Sequence, residues 1–167
     1  MRICAYAALS LALFVVSPGC KRKKDIRMVQ MGEKAEIGPF IYEAIETRWP
    51  MTLEGRSPKE RFLIIRVSVL NSGGSEATIP EFDVVDDAGN QYPEIVDGTG
   101  VHDWLGVARK LAAANTEQGN IVFDVPPKHY RLRVADENDE FMYIDTPLNL
   151  NSEEPDRNKM DRVNPVK

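Results

Sequence analysis

The chain is poor in the residues that most chemistry needs. It has two Cys and two His in 167 residues. Both Cys, Cys4 and Cys20, lie in the first twenty positions, so the body of the chain can build neither a thiol nucleophile nor a thiolate zinc site. His102 and His129 are too few for a histidine-rich metal site. There is no phosphate-binding loop, GxGxxG, GxSxG elbow, HExxH or CxxC. Aromatic residues make up only 8% of the chain, and no apolar run is long enough to cross a bilayer comfortably. Mean hydropathy is -0.35, which excludes a multi-spanning membrane protein. A hydrophobic content of 43% excludes a wholly disordered acidic chain. One globular domain of ordinary size remains.

The first twenty residues read as an export signal rather than as fold. Arg2 is a positive start. An apolar run from Ile3 to Val16 follows, broken only by Ser10, and Ser17-Pro18-Gly19-Cys20 closes it. Ser-Pro-Gly-Cys resembles the lipobox of bacterial lipoproteins, although Ser17 stands where the usual pattern has Leu. The resemblance implies cleavage before Cys20 and acylation of its sulfur. The alternatives are a secreted protein with a stray Cys, or an uncleaved anchor. Lipidation is the expectation, because Cys20 falls where the apolar run ends and a single terminal thiol could form no internal disulfide. Lys21 after the acylated Cys would permit sorting to an outer membrane where the cell has two.

Charge changes sign along the chain. Residues 21–34 carry six basic and two acidic groups, residues 35–150 ten and twenty, and residues 151–167 four of each. Lys21, Arg22, Lys23 and Lys24 lie beside the expected lipid. They are read either as partners for anionic headgroups or as a solvated tether. The short basic patch and acidic body argue against nucleic acid. Residues 20–34 are thus expected to be a lipidated tether, 35–150 the domain, and 151–167 a disordered tail.

The body shows the period of two expected of strands. RFLIIRVSVL (61–70) is the clearest, with Leu63, Ile65, Val67 and Val69 on one face. Other strand-like runs cover 36–47, 77–85, 91–92, 120–125, 130–135 and 141–144, separated by turn residues such as Asp86-Asp87-Ala88-Gly89-Asn90. About seven short strands suggest an all-β, immunoglobulin-like sandwich. Residues 103–114 (DWLGVARKLAAA) have high helix propensity and read as a short helix or a long loop.

Several of these runs share an order and spacing. Ile37-Gly38 opens a strand. FLIIRVSVLNSGGSEATI (62–79), FDVVDDAGNQYPE (82–94) and EQGNIVFDVPP (117–127) follow. Over roughly residues 35–146 the chain resembles a bacterial immunoglobulin-like family of domains of unknown function. Its members are often lipoproteins, and it is grouped with immunoprotective extracellular antigens. The resemblance implies the fold and an envelope location. It carries over no reaction and no catalytic motif.

Candidate sites are correspondingly modest. Asp83, Asp86, Asp87 and Asn90 place oxygen ligands near a turn, as calcium would require, although hairpin turns use the same residues. His102-Asp103-Trp104 could contribute to a metal site or stack on a ligand, or be a loop with a core-covering Trp. Trp49 is either core or an exposed partner-binding aromatic. Paired carboxylates for hydrolysis are not recognisable. The expectation is therefore a non-catalytic, lipid-anchored envelope module. It would need no cofactor and would present loops or a sheet edge to another envelope protein. An envelope small-ligand or cation-binding protein is the alternative.

Overall fold

The computed structural model describes residues 27–150, and within them every regular element is a strand. Cys20, Lys21, Arg22, Lys23, Lys24 and the 151–167 segment lie outside the described residues. The strands are β1 (Met28–Gln30), β2 (Lys34–Ile37), β3 (Phe40–Arg48), β4 (Phe62–Asn71), β5 (Ala77–Thr78) and β6 (Asp83–Asp86). They continue as β7 (Gln91–Pro93), β8 (Lys110–Leu111), β9 (Thr116–Asp124), β10 (Tyr130–Ala135) and β11 (Phe141–Thr146). One sheet has the order β1-β11-β10-β6-β7, the other β2-β3-β4-β9, and β5 pairs β8 in a small third ladder.

The two large sheets stack face to face, and alternation decides what lies between them. β4 contributes Leu63, Ile65, Val67 and Val69, β9 contributes Ile121 and Phe123, and β10 contributes Tyr130, Leu132 and Val134. A bulge between Ala44 and Glu46 puts Thr47, opposite Ile65, on the inner face and Arg48, opposite Ile64, on the outer. The outer face of β4 is apolar at Phe62 and Ile64, turns polar at Arg66 and Ser68, and ends in half-buried Leu70. Phe62 and Ile64, with Val122 of β9 and Leu53, form a second small core under the loops, flanked by Ile95 and Val101.

The shared runs have physical reasons. Gly38 (φ 51°) and Pro39 form the two-residue turn between β2 and β3. A Cβ on Gly38 would come within 2.5 Å of Asp136 Oδ2. Asn71 is fully buried, and its amide donates to the carbonyls of Ser75 and Leu111 at 2.8 Å while its oxygen accepts Gly73 N–H. It fixes the exit from β4 to the β5–β8 ladder. Gly119 leaves room for the chain crossing β9, since a Cβ there would meet the Asp103 carbonyl at 2.7 Å.

Two expectations need correction, and a third is decided between its alternatives. Among the described residues there are eleven strands rather than about seven, because 36–47 divides at the Gly38-Pro39 turn into β2 and β3, 77–85 divides at Pro80 into β5 and β6 in different ladders, and β1 and β8 are too short for their period to show. A strand, β1, precedes residue 35. β1 pairs in parallel with β11, so the last part of the 20–34 tether belongs to the sheet. Of the two readings of residues 103–114 the long loop holds, with only the two-residue β8 inside it. Asp103, Gly106, Ala108 and Ala114 have positive φ, Leu105 N–H donates to the Asn120 carbonyl, and Arg109 is buried. Burial of Leu105 and Arg109 overrides local propensity.

Candidate functional site

β1 runs in the same direction as β11, with Met28 beside Tyr143 and Gln30 beside Asp145. The chain therefore enters travelling toward the end of the sandwich where β11 finishes. At that same end β3 and β9 finish and β4 and β10 begin, as their registers show. A cavity of about 430 Å³ lies there, on the outer side of the β2-β3-β4-β9 sheet.

Its wall comes from sequence-distant pieces: Arg48 and Trp49 at the end of β3, the following 50–54 loop, Arg61 just before β4, Ile64 of β4, and Gly100, His102 and Leu150. Arg61 donates its Nε–H to the Trp49 carbonyl at 3.0 Å, which fixes the guanidinium against the loop. That is one of five N–H donors. Arg48 Nε is 3.6 Å from Glu46, beyond hydrogen-bond reach, and has no acceptor among the described residues. Trp49 is 5% exposed, packs its ring 6.2 Å from that of Tyr130, and its indole N–H also lacks an acceptor. Met51 is 73% exposed and Leu150 is also exposed, giving the cavity an apolar rim.

The sequence candidates separate. Trp49 is core, which corrects its reading as an exposed partner-binding aromatic, yet it also lines the cavity. His102 lines the cavity too. Its side chain is exposed and its Nδ1 lies 3.0 Å from Asp103. Trp104 is half-buried over Gly98, where a Cβ would meet the ring at 1.9 Å, and is not part of this wall.

The four oxygen-bearing residues do not converge. Asp83 and Asp86 are three apart on β6 and point to opposite faces. Asp83 faces Arg133 at 3.5 Å and Gln91. Asp86 is 2% exposed and already holds a cation, the Lys128 ammonium at 2.6 Å. It also accepts the N–H groups of Ala88 and Asn90 and the Asn90 amide, so Asn90 serves the turn. Hydrogen bonds from Lys128, then Asn90, hold the Asp86 carboxyl well below the usual carboxylate range. Asp87 pairs instead with His129. Among the described residues no group of three or more His, Cys, Asp or Glu is placed to hold a metal.

His129 is a feature that sequence reasoning passed over. Its Nδ1 is 3.0 Å from Asp87 and its Nε2 2.8 Å from Asp145. Ionised carboxylates only accept, so both ring nitrogens donate and the imidazolium is favoured. Burial pulls its pKa down, but hydrogen bonds to Asp87 and Asp145 outweigh this and raise it above 6.5. Burial also pushes the neighbouring Tyr130 phenol up to about 12. Arg48 and Arg61 were also missed. The available signal was a pair of Arg bracketing the Trp49-Pro50 loop.

Two stacked sheets with loops gathered at one end define an immunoglobulin-like β-sandwich module. Residues 29–143 match the model of a domain of unknown function, DUF4352, and the chain belongs to that family. Among solved structures it is similar to the yjhA protein of Bacillus subtilis, at 18% identity and TM-score 0.57, covering 71% of this chain and 99% of that one. It is also similar to ycdA of Bacillus subtilis, whose name describes a candidate lipoprotein. That likeness has 14% identity and TM-score 0.55, and covers 69% of this chain and 38% of that one. A third is the secreted protein MPT63 of Mycobacterium tuberculosis, at 11% identity and TM-score 0.51, covering 72% and 95%. These likenesses establish the shared fold. No curated protein matches the chain.

Proposed function

We propose that the protein is an exported, lipid-anchored binding module of the cell envelope that acts without catalysis, holding another envelope protein at its cavity end. The observation that carries the reading is the polarity of the sandwich. The chain enters along β1 toward the cavity end, so an anchor at Cys20 would approach the domain from the side of the opposite turns. Seven residues separate Cys20 from Met28, a reach of at most about 29 Å. An anchored domain would therefore stay near the headgroups with its cavity facing away from them. Lys21, Arg22, Lys23 and Lys24 would lie within that reach, where anionic lipid attracts them. Names of fold neighbours that mention secretion and a candidate lipoprotein are in keeping with this location.

Sheet edges serve recognition less well than the loops. β1 and β7 are three-residue edges, β7 ends in Pro93, and β9 is covered where Asn120 and Val122 bond the 95–105 segment. The test is membrane fractionation of wild type and Cys20→Ala from the native cells, followed by mild crosslinking and mass spectrometry. The expected result is a membrane-bound wild type with one dominant protein partner, both lost in Cys20→Ala. A variant that fractionates like wild type contradicts the anchor. A membrane-bound wild type without a partner contradicts the module.

A further inference from the structure

The cavity wall has an excess of donors over acceptors. Of the ten cationic side chains between 35 and 150, eight lie within ion-pair distance of a carboxylate. The other two are Lys59, which is exposed, and Arg61, which is half-buried in the cavity wall. Arg61 spends its Nε–H on the Trp49 carbonyl, and its terminal nitrogens have no acceptor among the described residues. The neighbouring Arg48 Nε is buried without one. Glu54 is the one carboxylate in the wall, and it is exposed. In a domain with twice as many acidic as basic groups, this is a local positive site. The rest of the wall mixes apolar Met51, Leu53, Ile64 and Leu150 with the polar side chains of Thr52 and His102. The volume suits a small ligand or the last residues of a chain.

We infer that the cavity binds an apolar ligand through one carboxylate, which the Arg61 guanidinium grips. The inference rests on reading this end as the recognition end. A planar guanidinium with its terminal nitrogens free matches a carboxylate in two-pronged geometry, which an ammonium cannot do. Two sources share this chemistry: the C-terminal residue of a partner chain, and a free amphipathic acid.

The test is a nitrogen–proton NMR titration of the full chain carrying Cys20→Ala. The probes are N-acetyl-Ala-Leu and octanoate, with N-acetyl-Ala-Leu-amide and octanamide as neutral counterparts. The backbone signals of Thr52, Leu53 and Glu54 should move with at least one acid and not with its amide. Arg61→Gln should weaken binding about tenfold, and Arg61→Lys less. A response to the dipeptide alone assigns a chain terminus, and a response to octanoate alone a free acid. No movement with either acid overturns the inference, and so does equal movement with the amides. An unchanged affinity in a folded Arg61→Gln does the same. The acid-against-amide comparison needs only the parent chain, so it stands even if Arg61→Gln unfolds. If the titration fails while the protein still crosslinks a partner in cells, the module reading survives and the carboxylate chemistry does not.

Discussion

Two regions of this sandwich treat charge in opposite ways. Around β6, charged side chains find partners inside the fold. Asp83 faces Arg133, Asp86 holds Lys128, and Asp87 and Asp145 clamp His129. Beside this strand Glu94 and Arg109, almost wholly buried, form a two-pronged pair, with Arg109 over the Phe82 ring and Glu94 accepting Phe82 N–H. Around the cavity, at the same end as Asp86, the guanidinium of Arg61 has no acceptor for its terminal nitrogens among the described residues. A stably folded chain has little to gain by leaving a half-buried guanidinium without an acceptor. The contrast separates charges that build the domain from charges available to something outside it.

The largest expected effect comes from breaking the built side. Arg109→Leu leaves Glu94 buried alone and should cost about 3–5 kcal/mol in urea unfolding. Adding Glu94→Leu should recover most of that loss, because the pair carries its own desolvation cost. A double variant no better than the single would show that the pair does more than satisfy its own burial. Arg61→Gln removes the same kind of group but loses one backbone hydrogen bond, so it should cost only about 0.5–1.5 kcal/mol. Equal losses for Arg61→Gln and Arg109→Leu would erase the distinction between the two regions.

The smallest effects appear in the pH dependence of the melting temperature. The folded pKa of His129 is raised, so its contribution is complete below 6.5 and is lost as pH rises through the folded value. The Asp86 value is lowered, so its contribution is present above 3.8 and is lost as pH falls through the folded value. Wild type should therefore lose its advantage over His129→Gln on the alkaline side, and over Asp86→Asn on the acid side. The His129 change should be slight, because its side chain is 36% exposed and solvent screens the pairs. An advantage over His129→Gln that grows with rising pH would contradict the double clamp.

Local pattern made part of this legible. The alternation in β4, the Asp86 to Asn90 turn and the Asn71 turn are short-range features, and each stands where its period or turn chemistry indicates. β1 was not legible because three residues carry no period and its partner, β11, is more than a hundred residues away. Residues 103–114 left two readings open because helix propensity counts neighbours in sequence, whereas Arg109 answers to Glu94. Asp83 to Asn90 resembled a ligand set because turn-capping and metal-binding use the same oxygens. What separates the two is the direction of each side chain, and here Lys128 already occupies Asp86. The cavity was the least legible part. Arg48, Arg61, Gly100 and Leu150 meet only once the loops close over the outer face of β4.

The most direct test places a photo-crosslinking residue at Met51 on the cavity rim or at Asp139 in the exposed turn at the opposite end, in the full chain in its own cells. The account predicts a single protein adduct from Met51 and none of that mass from Asp139. The same adduct from Asp139, with none from Met51, would contradict the assignment of the cavity end as the face that meets a partner.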